Sequence, residues 1–209
     1  AYGCDGKGAL YNRLTGSRKI LGHGYRKSLP NGISNFLHEL WRSRHPWQET
    51  YSDSTSPALF RRWLSAVMDP EISRSLGEDY YRSPLCRFAG FYTYRYCWMF
   101  HRSIEYLYDG SVYNLDKLQE ADERLNIIQH MLQTEKLTQG ILELLESAGI
   151  NIDGKTREKI MGMNRTNPST RQRDSAFYYD RRTADLVRER DAMIVEKYAY
   201  RAPEVNNPV

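Results

Sequence analysis

A basic loop ahead of an amphipathic helix carries the residue types best suited to chemistry in this chain. In "RKSLPNGISNFLHELW", Arg26, Lys27 and Ser28 lead into Asn31, Gly32 and Ser34, where a helix begins. Backbone N–H groups at a helix N-terminus point outward and carry partial positive charge. Cationic side chains beside them add charge-assisted donors, so the junction suits a phosphate or a sulfate. The competing reading is an ordinary loop and a capped helix. The pattern G-x-x-x-x-G-K-[ST] is absent from the chain, so this is not the usual nucleotide loop.

A second basic stretch, "MNRTNPSTRQR", sets Asn164, Arg165, Arg171 and Arg173 close together. Guanidinium groups match the geometry of phosphate or sulfate, and a solvated loop is the alternative. His23 lies between Gly22 and Gly24, where it would approach a ligand and act as a general base. His38 belongs on a helix surface. His45, His101 and His130 have no carboxylate or cysteine at metal-ligand spacing, so no metal is expected. Neither G-x-S-x-G nor H-E-x-x-H occurs, which removes support for hydrolase and zinc-protease readings.

The elements that would position these groups are mostly helical. Lys19 to Tyr25 reads as a short strand. After Gly32, Ile33, Phe36, Leu37, Leu40 and Trp41 share one helical face, and Pro46 ends it. The polar "QETYSDSTS" follows. Ser56 is an N-cap with Pro57 at the first helical position, and Leu59, Phe60, Trp63, Leu64 and Val67 continue as a stripe to Asp69-Pro70. Phe88 to Tyr108 is aromatic throughout, and its length favours a helix in its second half. Leu125 to Leu132 is a buried strand or part of a helix. Leu137, Ile141, Leu144, Leu145 and Ala148 form a helical face closed by Gly149. A last helix, capped by Thr183, presents Leu186, Val187, Ile194, Val195 and Tyr198.

The bulk numbers allow one substantial core. The chain has 209 residues, 40% hydrophobic and 27% charged. A net charge of +4 and a pI near 8.9 suit an anionic ligand. No run of five like charges and no nucleic-acid motif is present, so a small helical nucleic-acid binder is the weaker reading and no nucleic-acid partner is expected. Sixteen tyrosines, against 6 Phe and 4 Trp, demand hydroxyl partners or ring-lined grooves. Cys4, Cys86 and Cys97 form neither a disulfide framework nor a metal spacing, which favours a reducing compartment. The longest apolar run, Phe88 to Phe100, is interrupted by Arg95 and too short to span a bilayer. No signal peptide is visible, and the chain starts at Ala1 without a Met, as a processed or incomplete protein would.

The last third decides the reading. From Met131 it runs "MLQTEKLTQGILELLESAGI", then "MNRTNP", then "FYYDRRTADLVRERDAMIVEKYAY". This resembles the C-terminal part of PAPS-dependent sulfotransferases, particularly the bacterial and carbohydrate-type branch. The matching positions are Thr134, Glu135 and Leu137, then Gly149, then Asn164, Arg165 and Thr166. Tyr179, Asp180, Thr183, Leu186, Val187, Arg190 and Tyr200 complete them. "ALFRRWLSAVMDP" and "GFYTYRYCWMF" are similar to that family's middle region, and the resemblance covers about half the chain.

It implies a single α/β domain over 1–209, incomplete on the N-terminal side. The fold would be P-loop-like and helix-rich with a small parallel sheet; a mostly α fold is the alternative. It implies in-line transfer of a sulfuryl group from PAPS, as co-substrate and without a metal, to a hydroxyl or amine of an acceptor such as a carbohydrate. Positive groups would stabilise the bridging oxygen and a base would take the acceptor proton. Arg26, Lys27, Ser28, Ser34 and Arg165 would contact the donor and His23 would be the base. Here the chain departs from the family's pattern. Leu29-Pro30 stand where the donor loop has Gly-Thr. On the preferred alignment Ser34 is instead the serine of the 3′-phosphate site, and the donor loop lies outside the chain. The alternative is therefore a sulfotransferase-like subunit that has lost catalysis and binds a protein partner. The expected location is the cytoplasm, or the Golgi lumen if the chain is eukaryotic.

Overall fold

The computed structural model describes residues 47–50, 52–53, 55–163 and 173–205. The strand expected at 19–25, the helix after Gly32 and the basic segment 164–172 lie outside them. Of the described residues 65% are helical and none forms a strand or a sheet. The expected α/β fold with a parallel sheet is thereby overturned for this part of the chain. Ten α-helices carry it: α1 Trp47–Thr50, α2 Pro57–Met68, α3 Ser73–Leu76, α4 Phe91–Phe100, α5 Leu115–Leu125, α6 Leu137–Ser147, α7 Gly154–Met161, α8 Ser175–Tyr178, α9 Arg181–Arg190 and α10 Ala192–Lys197. Among the described residues no helix is long and apolar enough to cross a membrane.

The chain divides into two compact units, 1–126 with 171–209, and 127–170. In the first, α2 is built as its sequence dictates. Ser56 accepts from Leu59 N, Pro57 occupies the first turn and the helix stops before Asp69. Its inner face buries Trp63, Leu64, Val67 and Met68, each contributing about 1.5–3 kcal/mol by leaving water. Against α2 pack α1, α8 and α9, while α10 packs on α5.

Two short runs resolve differently from their periodicity. Within Phe88 to Tyr108 the helix takes the first half, Phe91–Phe100. His101 then turns extended and pairs with Asn126 in an isolated antiparallel bridge. Leu125 to Leu132 is neither a strand nor a helix: α5 ends at Leu125, and Asn126 makes the bridge. The expected single last helix is two, broken at Asp191.

The second unit is small. In α6 the end is closed by a left-handed Gly149, with Ile150 N donating to Leu145 O at 2.9 Å, as a Schellman ending requires. Asp153 caps α7 by accepting from Thr156 N at 2.7 Å. Leu142 is the core residue here, while Leu137, Ile150, Met161 and Met163 stay exposed.

Candidate functional site

The densest polar chemistry among the described residues is a buried centre where α4, α5 and α10 meet. Asp122 sits on the inner face of α5, beside Leu118 and Ala121. Its Oδ1 receives His101 Nε2 at 3.0 Å and Asn126 Nδ2 at 3.0 Å. Its Oδ2 receives the Lys197 ammonium. Burial pushes the Asp122 carboxyl up, but the hydrogen bonds from His101 and Lys197 and the Lys197 charge outweigh it and hold the group below the usual carboxylate range. On the other side of the ring, His101 Nδ1 meets the Tyr106 hydroxyl at 2.5 Å. A proton on Nε2 and a lone pair on Nδ1 satisfy both contacts. The rings of His101 and Tyr106 stack, and Tyr96 stands edge-on to His101. The Tyr96 hydroxyl meets that of Tyr198 at 2.6 Å and takes an N–H from Asn126. Beneath them the Cys97 thiol is pushed up to about 12 by burial, so it is held as a neutral thiol.

A carboxylate orienting an imidazole is the arrangement of a general base. Here, however, the His101 side chain is 0% exposed and Asp122 only 6%. No substrate atom can reach the ring, so the pair acts as a fully bonded core network that fixes three helices to one another. The Lys197 side chain, 31% exposed, reaches solvent.

A second polar junction lies where α9 gives way to α10. Gly90 begins α4 and has no side chain with which to cap it. Asp191 does so from a distance: its Oδ1 accepts from Thr93 N at 2.9 Å and from Thr93 Oγ1 at 2.8 Å. A Cβ at Gly90 would overlap that carboxylate, so glycine is required there by close approach. Burial raises the Asp191 carboxyl above its ordinary range, against the hydrogen bonds from Thr93 and the nearby Arg190 charge. The guanidinium of Arg190 gathers the preceding segment, donating to Cys86 O at 2.8 Å, Arg87 O at 3.1 Å and Ala89 O at 3.0 Å. Its Nε is buried without a partner.

The start of α9 is locked as well. Asp180 and Thr183 form a reciprocal capping box, so Thr183 is the inner member of the box and Asp180 the cap itself. Arg61 of α2 donates to the carbonyls of Tyr178 at 2.9 Å and Tyr179 at 3.1 Å.

The residues expected to contact the donor, Arg26, Lys27, Ser28, Ser34 and Arg165, and the expected base His23, lie outside the described residues. Among the described residues no three His, Cys, Asp or Glu side chains are grouped to hold a metal. The residues alone give no role to Arg61, Asp122 or Asp191, and metal-ligand spacing is the only pattern against which His101 can be set. One signal was present: Asp122 falls on the stripe Leu118, Ala121, Asp122, Leu125 of an otherwise amphipathic helix, and a carboxylate on an apolar stripe needs a buried partner. Comparison with protein-family models, curated proteins and solved structures returned no match to this chain.

Proposed function

We propose that this chain serves sulfuryl transfer from PAPS to a hydroxyl or amine acceptor, with its described helices as the scaffold of that activity. One observation supports the reading. The segment that carries the resemblance, Tyr179, Asp180, Thr183 and Arg190, works as one unit: the capping box starts the helix, and Arg190 at its end fastens the 86–89 carbonyls. The donor would be held by Arg26, Lys27, Ser28 and Ser34, with His23 taking the acceptor proton; Arg165 is the further donor contact that the resemblance implies. The test is calorimetric titration with PAP, the desulfated donor. Saturable one-site binding, lost in the Arg26→Ala/Lys27→Ala double variant, is the expected result. No binding to a folded sample, or binding indifferent to both substitutions, overturns the reading.

A non-catalytic binding subunit is the second reading. It is favoured by Trp98 and Met99, adjacent on α4 and 50% and 48% exposed, since exposed aromatic and Met side chains suit interfaces. A folded sample that ignores PAP but associates through Trp98, as read by sedimentation of wild type against Trp98→Ala, would establish it.

A further inference from the structure

The Lys197 ammonium meets the Asp122 carboxylate beside two tyrosine rings. The Lys197 Nζ stands 5.7 Å from the centre of the Tyr96 ring and 5.7 Å from that of Tyr198. Those rings are themselves 5.8 Å apart and inclined at 69°, so they form two walls meeting at an angle. Ring faces attract cations, and a desolvated carboxylate beneath them adds charge and a hydrogen-bond acceptor. The floor is rigid without the lysine: His101 and Asn126 hold the other carboxylate oxygen, and the Tyr96 and Tyr198 hydroxyls hold each other. The entrance is where the Lys197 stem runs, a side chain 31% exposed. Lys197 is the last residue of a six-residue helix, two positions before Ala199 at φ 50°.

We infer that the Asp122–Tyr96–Tyr198 recess is a binding site for a primary ammonium on a slender unbranched chain, and that Lys197 occupies it as a tethered plug. Tethering gives the lysine a high effective concentration, so a free amine does not compete in the intact chain. Moving Lys197 aside opens the recess.

Replacing Lys197 by Ala deletes the equivalent of propylammonium, which is therefore the probe. Thermal unfolding of Lys197→Ala is followed in propylammonium chloride and in potassium chloride at matched ionic strength and pH. The expected result is a saturable rise in Tm with propylammonium. At ten times its Kd the ligand raises the folded-to-unfolded ratio about elevenfold. Lys197→Met, which fills the channel without a charge, shows no such rise, and neither does wild type. Tetramethylammonium, which has no N–H for Asp122, fails to substitute. If Lys197→Ala does not fold alone, the same comparison is made on refolding yield from denaturant. An equal response in Lys197→Met, an equal response to tetramethylammonium, or none in Lys197→Ala overturns the inference.

Discussion

Asp122 and Asp191 are both buried acids in the same unit, yet their surroundings drive them in opposite directions. Asp122 meets a lysine ammonium and an imidazole, and its proton affinity falls. Asp191 meets an uncharged amide and hydroxyl, while the adjacent Arg190 spends its donors on carbonyls, and its proton affinity rises. Two neutral donors orient a carboxylate without offsetting its desolvation; a directly bonded cation does both. The first centre is therefore an electrostatic tie and the second a geometric one.

The geometric junction should break hardest. Arg190→Ala removes the guanidinium from the Cys86 and Arg87 carbonyls and leaves Ala89 O with the Tyr80 hydroxyl alone; it should cost about 3–5 kcal/mol, read as a fall in urea midpoint with an unchanged slope. Next comes Gly90→Ala, which drives a methyl into the Asp191 carboxylate. About 2–3 kcal/mol is expected, with the loss of helicity detected by far-UV circular dichroism. For the electrostatic tie, Asp122→Asn should cost about 2 kcal/mol at neutral pH.

The pH dependence sharpens the contrast. Asp122 lies below the unfolded value of about 3.9, so its contribution is complete above that pH and is lost as pH falls through the folded pKa. The gap between wild type and Asp122→Asn should close in acid. Asp191 lies above its unfolded value, so the folded state takes up the proton first and gains stability as pH falls through the raised pKa. Relative to Asp191→Asn, wild type should improve on acidification from neutral pH towards about 4. Denaturation midpoints followed from neutral pH to well below the ordinary carboxylate range decide both; slopes of the same sign would undo the comparison. The smallest effect belongs to neither centre: Ala199→Gly, at φ 50°, should raise Tm slightly by relieving a left-handed alanine, about 0.5–1 kcal/mol.

What could be read from the sequence was local. Ser56-Pro57 and the stripe behind it specify α2, and Gly149 specifies the end of α6, because cap and helix are neighbours in the chain. The helix of the 88–108 segment lies earlier than its length alone predicts, because its start is fixed by Asp191 and its end by a bridge to Asn126. The hydrophobic period of that aromatic run holds no information about either. Likewise His101 was judged by the spacing rules for metals, whereas its partner Asp122 lies 21 residues on and is recognisable only as a charge misplaced on an apolar stripe. The parallel sheet came from resemblance and from short apolar runs that periodicity cannot assign. In the described residues the 88–108 run forms α4 in its first half, and the 125–132 run ends α5 and continues without regular structure.

The distant cap has a consequence for how the molecule is made. Thr93 and Asp191 are 98 residues apart, so during synthesis the aromatic helix waits unfinished while nearly half the chain is still to come. Its first turn gains this cap only after the α9–α10 corner has left the ribosome, and until then Tyr96 also lacks the Tyr198 ring on which it packs. A nascent chain stalled short of Asp191 should therefore be held by chaperones, and one stalled well beyond it should be released.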